Sequence, residues 1–115
     1  MRIFIAGPYG DHNPKDIIAA NVIKSDKLAR DLMAQGHQVY CPHKMSWGWE
    51  DDSRLTREQF LALDRSYLHY WAEAIIRIPG VSPGADGEMR LAKTLGVQIL
   101  DPEKFLDASE KEVSA

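Results

Sequence analysis

The sequence predicts a small doubly wound α/β domain, a Rossmann-like or flavodoxin-like parallel sheet with helices on both faces. Short apolar runs alternate with longer stretches whose apolar residues recur at helical spacing. This alternation indicates parallel strands, because each parallel connection needs a crossover helix. A chain of 115 residues can bury one core but not two. We therefore expect a single domain over residues 1–108 and a loosely ordered tail over residues 109–115.

The elements follow one another in a regular order. Strands are predicted over residues 2–6, 38–41, 74–78 and 97–100, and helices over residues 15–35, 56–71 and 83–95. The core-facing stripe predicted for the first helix comprises Ile18, Val22, Ser25, Ala29, Leu32 and Met33. Residues 42–52 read as a polar and aromatic loop, and Asp101 with Pro102 predicts a short terminal helix. Ligands of such sheets bind outside the carboxyl ends of the strands, where the loops after the first three strands meet.

Glu88 lies on the apolar face of the last long helix. Ser82 followed by Pro83 is typical of an N-cap and a first helical position, and Gly96 ends the helix. With that start, the face turned to the sheet comprises Glu88, Leu91, Ala92 and Leu95. Burying a charged carboxylate there costs free energy unless a positive charge offsets it. The nearest such charge is the partial positive charge of the helix N-terminus. Glu88 is therefore a candidate nucleophile or base; the alternative is a helix start shifted enough to turn it toward water.

Asp64 is a second carboxylate on an apolar helix face. Thr56 and Gln59 form a predicted capping box, which opens the helix that carries Asp64. The apolar side of that helix comprises Phe60, Leu63, Tyr67, Leu68 and Trp71, and Asp64 falls within it. Two such acids can take different catalytic roles: one acts as nucleophile, and the other orients a group or passes a proton. The alternative is that Asp64 pairs with Arg65 or Arg77, or caps a loop.

Three loops contain further candidate binding residues. The turn Gly7-Pro8-Tyr9-Gly10 has the shape of a sugar- or phosphate-binding turn, because glycines let backbone N–H groups approach a ligand. Ser82 and Gly84 form a second candidate anion site at a helix N-terminus. A flat slot for stacking a base is predicted from His43, Met45, Trp47 and Trp49. Each pattern also suits an ordinary tight turn, a helix cap or a loop packed on its own aromatic rings.

Composition excludes several classes of function. The net charge of −3, with no basic run, argues against a nucleic acid polymer as partner. The single cysteine, Cys41, excludes an internal disulfide and a cysteine-based zinc site, and fits the cytoplasm. His12, His37, His43 and His69 lack metal-ligand spacing, so we expect neither a metal nor another cofactor. There is no signal peptide and no apolar stretch near 20 residues, so we expect no membrane association.

Three motifs together resemble the nucleoside 2-deoxyribosyltransferase superfamily. They are A-G-P-Y-G after the first strand, the aspartate at Asp64, and S-P-G-A-D-G-E followed by M-R-L-A-K-T-L-G. The match covers residues 2–100 and is closest to short bacterial and phage members. The family acts on N-glycosidic bonds of nucleosides or their 5′-monophosphates. The resemblance implies that Glu88 is the nucleophile that forms a glycosyl-enzyme intermediate, and that Asp64 helps to hold the sugar or the base.

The resemblance also bears on the binding residues. Gly7 and the residues after it match the sugar and phosphate turn, and Ser82 resembles a serine that contacts the 5′-phosphate in the monophosphate-hydrolysing branch. Phe4 departs from the family, which often has a tyrosine there, so a hydroxyl near the sugar is missing. Glu73 stands where an aspartate is usual. Members usually complete each site with a neighbour's residues, which implies a homodimer or a larger homo-oligomer.

Two kinds of function therefore fit the sequence. The first is an enzyme that cleaves the N-glycosidic bond of a nucleoside or nucleotide, by hydrolysis or by base exchange. The second is a non-catalytic nucleotide-binding or sensing module on the same fold, for which Phe4 is the best support. A third hypothesis, with less support, is an enzyme that acts on a sugar phosphate and binds the phosphate with the Gly7 turn.

Overall fold

In the part of the chain that the structure describes, four parallel strands form one sheet in the order β2-β1-β3-β4. They are β1 (Arg2–Ala6), β2 (Gln38–Tyr40), β3 (Ala74–Arg77) and β4 (Gln98–Leu100). In the register, Phe4 on the central strand β1 lies beside Tyr40 on β2 and Ile75 on β3. This is a computed structural model that describes residues 1–8, 14–49 and 51–105. The strand order is that of a flavodoxin-like doubly wound sheet, which confirms the predicted fold class.

Within the described ranges, four helices accompany the strands. They are α1 (Lys15–Ala34), α2 (Pro42–Met45), α3 (Arg57–Tyr70) and α4 (Pro83–Leu95), and a short 3-10 helix spans Pro102–Lys104. The long helices agree with the predicted ones to within about one residue at each end. The start of the predicted loop over residues 42–52 is instead the one-turn helix α2. Pro42 is pre-organised for its first position, and the hydroxyl of Ser46 donates to the Pro42 carbonyl at 3.1 Å.

The sheet separates two apolar layers. On one side, Ile3 and Ile5 of β1 pack with Leu28 and Leu32 of α1. On the other side, the core comprises Phe4, Ala6, Tyr40, Leu68, Ile75, Ala85 and Ala92, from the strands, α3 and α4. Successive residues of β1 thus point to opposite layers, as the pleat requires. The two helices that carry the candidate carboxylates, α3 and α4, therefore share one face of the sheet.

The prediction that Met33 belongs to the core-facing stripe of α1 is wrong. Met33 is 61% exposed, whereas Leu28, which the prediction left out, is 1% exposed. Met33 follows Leu32 directly, so it lies about 100° around the helix from the buried stripe. Leu28 lies one turn before Leu32 and on its side of the helix.

Candidate active site

Asp64 and Glu88 line the same cleft between α3 and α4. The cleft has a volume of about 330 Å³, at the lower end of the range for small-molecule sites. Gly84, at the start of α4, lines it as well. Two acids predicted from separate helices are therefore brought together, and a small ligand between the helices would meet both.

The start of α4 determines where Glu88 lies. The Ser82 hydroxyl accepts a hydrogen bond from the Ala85 amide at 3.1 Å, and Pro83 takes the first helical position. Glu88 then lies in the second turn, and its Oε2 atom is buried. The acid of the first turn is Asp86. Because the field of a helix N-terminus falls off within the first turn, it compensates Glu88 less than the sequence suggested.

Burial controls the protonation of Asp64. Desolvation raises the pKa of this carboxyl from 3.8 to about 6, and the nearby Tyr40 hydroxyl acts in the opposite direction. Arg77, considered above as a partner, instead forms an ion pair with Asp86 at 2.9 Å and donates to the carbonyls of Ile78 and Gly80 at 2.8 and 2.9 Å. Asp64 can therefore carry a proton near neutral pH, which is the property of a general acid.

Sequence reasoning missed Tyr40, which does not line the cleft but acts on Asp64. Its ring is 8% exposed and stacks on Tyr67, with centroids 3.6 Å apart and planes 7° apart. Its hydroxyl is close enough to Asp64 to affect that carboxyl, yet within the described ranges it makes no hydrogen bond of good geometry. Burial, and then the charges of Asp64 and Glu88 among others, raise the pKa of Tyr40. The signal was the strand alternation, which puts Tyr40 and its neighbour Phe4 on the α3 side of the sheet.

Three arginines also line the cleft and were not singled out from the sequence. They are Arg57 and Arg65 on α3 and Arg90 on α4, and all three are exposed. Helical spacing was the available signal for Arg57, which lies two turns before Asp64 on the same side of α3. Guanidinium groups bind phosphate and carboxylate well. This rim of the cleft therefore favours an anionic ligand.

The loops after β1, β2 and β3 meet at the carboxyl edge of the sheet, as predicted. Because the Pro8 carbonyl can only accept, Nε2 of the buried His43 donates to it, at 2.6 Å. A Cβ at Gly7 would come 3.0 Å from Cβ of Ile78, and one at Gly80 would come 2.5 Å from Cγ of Pro8. Gly80 also has a φ of +134°. The glycines thus permit close packing of the loops.

The other predicted site residues lie elsewhere. Phe4 is fully buried in the core, and Ser82 is 2% exposed beneath the start of α4. Met45, Trp47 and Trp49 are each at least 40% exposed, and none of the three lines the cleft. Tyr9, Gly10 and His12 fall outside the described residues, as does the predicted tail. The structure therefore unites Asp64, Glu88 and Gly84, and separately Gly7, Pro8 and His43.

Other chemistries find little support in the described ranges 1–8, 14–49 and 51–105. No group of three or more His, Cys, Asp or Glu side chains there could hold a metal ion. Cys41 is buried, which raises the pKa of its thiol, and a thiol of that kind is a poor nucleophile. None of the described helices combines the length and the apolar character needed to cross a bilayer.

The fold is similar to that of a solved 2-deoxyribosyltransferase from the psychrotolerant bacterium Bacillus psychrosaccharolyticus. The TM-score is 0.60 at 20% sequence identity, over 99% of this chain and 82% of that chain. That enzyme is described as a biocatalyst for the synthesis of antiviral and antitumoral nucleosides. No protein-family model matches the chain, and no curated protein matches its sequence. The chain therefore has the fold that its resemblance to the superfamily implies.

Proposed function

We propose that this protein belongs to the nucleoside 2-deoxyribosyltransferase superfamily and cleaves the N-glycosidic bond of a nucleoside or nucleoside 5′-monophosphate. The observation that carries the proposal is the pair Asp64 and Glu88, which reach one cleft from two helices. Similarity of fold to a 2-deoxyribosyltransferase supports the same assignment. The raised pKa of Asp64 adds a proton donor beside the proposed nucleophile.

Each carboxyl has its own task in the proposed reaction. A carboxylate oxygen of Glu88 attacks C1′ on the face opposite the base, and the bond from C1′ to the base nitrogen breaks. The electron pair of that bond passes to the base, which takes the proton of Asp64. Water or a second base then attacks C1′, gives its proton to the Asp64 carboxylate and releases the Glu88 carboxylate. If water attacks, the product is the free sugar or, from a monophosphate, its 5-phosphate; if a base attacks, the product is a new nucleoside or nucleotide.

Of the two substrate classes in this proposal, the 5′-monophosphate is the preferred one. Arg57, Arg65 and Arg90 line the cleft of the two carboxylates, where a phosphate would find charge-assisted hydrogen bonds. The Ser82 hydroxyl, which the resemblance assigns to phosphate, accepts from the Ala85 amide as a helix cap. We therefore assign phosphate recognition to the arginines and a capping role to Ser82.

The decisive experiment measures base release from deoxyribonucleosides, ribonucleosides and their 5′-monophosphates. We expect release by the wild type and none by Glu88→Gln, because an amide is too weak a nucleophile to form the glycosyl ester. Glu58→Gln is the matched control, since the same change is made at an exposed residue of α3. Both variants should unfold at nearly the wild-type temperature. Release that survives in Glu88→Gln would remove Glu88 from the mechanism.

The non-catalytic binding module gives the opposite result. It would bind nucleotides, as seen by a rise in unfolding temperature with added ligand, but would release no base from any substrate of the panel. Glu88→Gln would then leave binding unchanged.

The protein is further proposed to form a homodimer or a larger homo-oligomer. The support is the resemblance, in which a neighbour's residues complete each site. Sedimentation equilibrium tests it, because a particle of 13.0 kDa, the mass of one chain, would contradict the proposal.

A further inference from the structure

We propose that Tyr40 is a positioning residue of the cleft, whose buried hydroxyl orients the Asp64 carboxyl and serves as hydrogen-bond donor to the carboxylate that remains when Asp64 gives up its proton. This inference rests on the glycosidic activity proposed above. It assigns a role to a side chain that neither the sequence motifs nor the resemblance indicated.

The Tyr40 ring is held in a defined place. Tyr40 ends β2, at the carboxyl edge of the sheet, and its register partner on β1 is Phe4. The ring stacks on Tyr67, which lies three residues after Asp64 on α3, and its centroid is 5.6 Å from that of Phe4. Rings packed on two sides leave the phenol little freedom to turn its hydroxyl elsewhere.

Packing alone does not account for the hydroxyl. The neighbouring ring at the same level of the sheet, Phe4, fills its place without one. The Tyr40 oxygen is buried, and among the described residues it lacks a hydrogen bond of good geometry. Buried polar groups are rarely left in that state, because they lose water without gaining a partner. A phenylalanine at residue 40 would avoid this cost, so the hydroxyl has another use.

The charges around the hydroxyl indicate that use. Asp64 and Glu88 both act on Tyr40, together with the phenol of Tyr67. Burial, and then Asp64, Tyr67 and Glu88, raise the pKa of Tyr40, so its hydroxyl keeps its proton and can act as a donor. The same hydroxyl favours the ionised form of Asp64, which burial disfavours. Arg57, Arg65 and Arg90 line the cleft together with the two acids. Tyr40 is thus placed to stabilise the Asp64 carboxylate once the leaving base has taken its proton.

The test compares Tyr40→Phe, which removes only the hydroxyl, with Tyr67→Phe, which removes a hydroxyl from the other ring of the stack. We expect Tyr40→Phe to lower kcat for base release about ten- to a hundredfold with little change in KM. The alkaline limb of its pH profile should move to higher pH, because the group that favours ionised Asp64 is gone. Its unfolding temperature should stay the same or rise. In Tyr67→Phe, the alkaline limb of the pH profile should stay at the wild-type pH.

Two results would overturn the role of Tyr40. One is a Tyr40→Phe enzyme with wild-type kcat and an unmoved limb. The other is a fall in kcat that accompanies lower stability with the limb unmoved, which is what a structural role alone would give. Absence of base release by the wild type would instead refute the proposed function.

A second measurement needs no activity. Carbon-13 NMR follows the titration of the Asp64 carboxyl, with Asp64→Asn to assign its signal. A higher pKa of Asp64 in Tyr40→Phe than in the wild type supports the inference, and an unchanged pKa contradicts it whatever reaction the protein performs.

Discussion

The Tyr40 hydroxyl favours the ionised form of the Asp64 carboxyl, whereas the burial of that carboxyl favours its protonated form. Burial raises the pKa of Asp64 to about 6, while the hydroxyl lowers it. Neither residue is near the other in sequence. The pKa of Asp64 therefore depends on the packing around it, with burial as the larger effect and a residue of the neighbouring strand β2 as the opposing one.

Replacing Asp64 by asparagine should stabilise the fold at neutral pH while abolishing base release. The pKa of about 6 in the folded state lies above the 3.8 of an ordinary aspartate, so the folded protein binds more protons between these values. Wild-type stability must then fall as the pH rises through that window, by at most about 3 kcal/mol, and less because solvent reaches part of the carboxyl. Urea unfolding from pH 4 to pH 8 should show this fall in the wild type and not in Asp64→Asn.

Asp52 is the control for that experiment, because its shift has the opposite sign. Hydrogen bonds from Arg54, at 2.9 and 2.7 Å, lower the pKa of Asp52. Asp52→Asn should therefore slightly reduce stability at neutral pH, and the loss should shrink as the pH falls below the ordinary value of 3.8. Wild-type and Asp64→Asn curves that run parallel would show that Asp64 is not desolvated in the folded state.

Replacing the arginines of the cleft should weaken binding of a nucleoside 5′-monophosphate but not of a nucleoside. Arg65→Gln and Arg90→Gln are expected to raise KM for a nucleoside 5′-monophosphate about ten- to a hundredfold each, since a charge-assisted hydrogen bond contributes about 1.5–3 kcal/mol. KM for the corresponding nucleoside should hardly change. Lys93→Gln is the matched control, because Lys93 is an exposed cation of α4 that does not line the cleft. Equal effects on nucleoside and monophosphate would contradict phosphate binding here.

Ser82→Ala should cost stability rather than phosphate recognition. The Ser82 hydroxyl caps α4 by accepting from the Ala85 amide, and loss of such a cap costs about 1 kcal/mol. Ser82→Asn should recover part of this loss, since asparagine is also a good N-cap. Chemical denaturation measures both variants, and kinetics with a monophosphate complete the test. A rise in KM confined to the monophosphate, at unchanged stability, would show that Ser82 contacts the phosphate.

Gly80→Ala should destabilise the protein more than Gly36→Ala does. Both glycines have positive φ angles, of +134° and +98°, but only at Gly80 would a Cβ meet another atom, Cγ of Pro8 at 2.5 Å. Strain alone costs about 1 kcal/mol, and overpacking adds about 1–3 kcal/mol. Urea unfolding of the two variants measures the difference. Equal losses would mean that the loops after β1 and β3 do not pack as closely as the structure places them.

Much of the fold could be predicted because its signals are local. Ser82 with Pro83 and Thr56 with Gln59 mark the starts of α4 and α3, and the structure has both caps. Short-range steric and hydrogen-bonding preferences determine such starts, so neighbouring residues suffice to read them. Met33 was misplaced because apolar character alone does not distinguish a buried stripe from its edge.

The sequence by itself determined the α/β alternation, the helix caps and the presence of Asp64 and Glu88 on apolar helix faces. Only the tertiary structure decided that α3 and α4 share one face of the sheet, that three arginines line the cleft of the two acids, and that the Tyr40 hydroxyl acts on the Asp64 carboxyl. The physical reason is the distance along the chain over which each kind of interaction acts. Caps and periodicity depend on neighbours within one or two turns, whereas desolvation and the contacts of a carboxyl depend on every element packed around it.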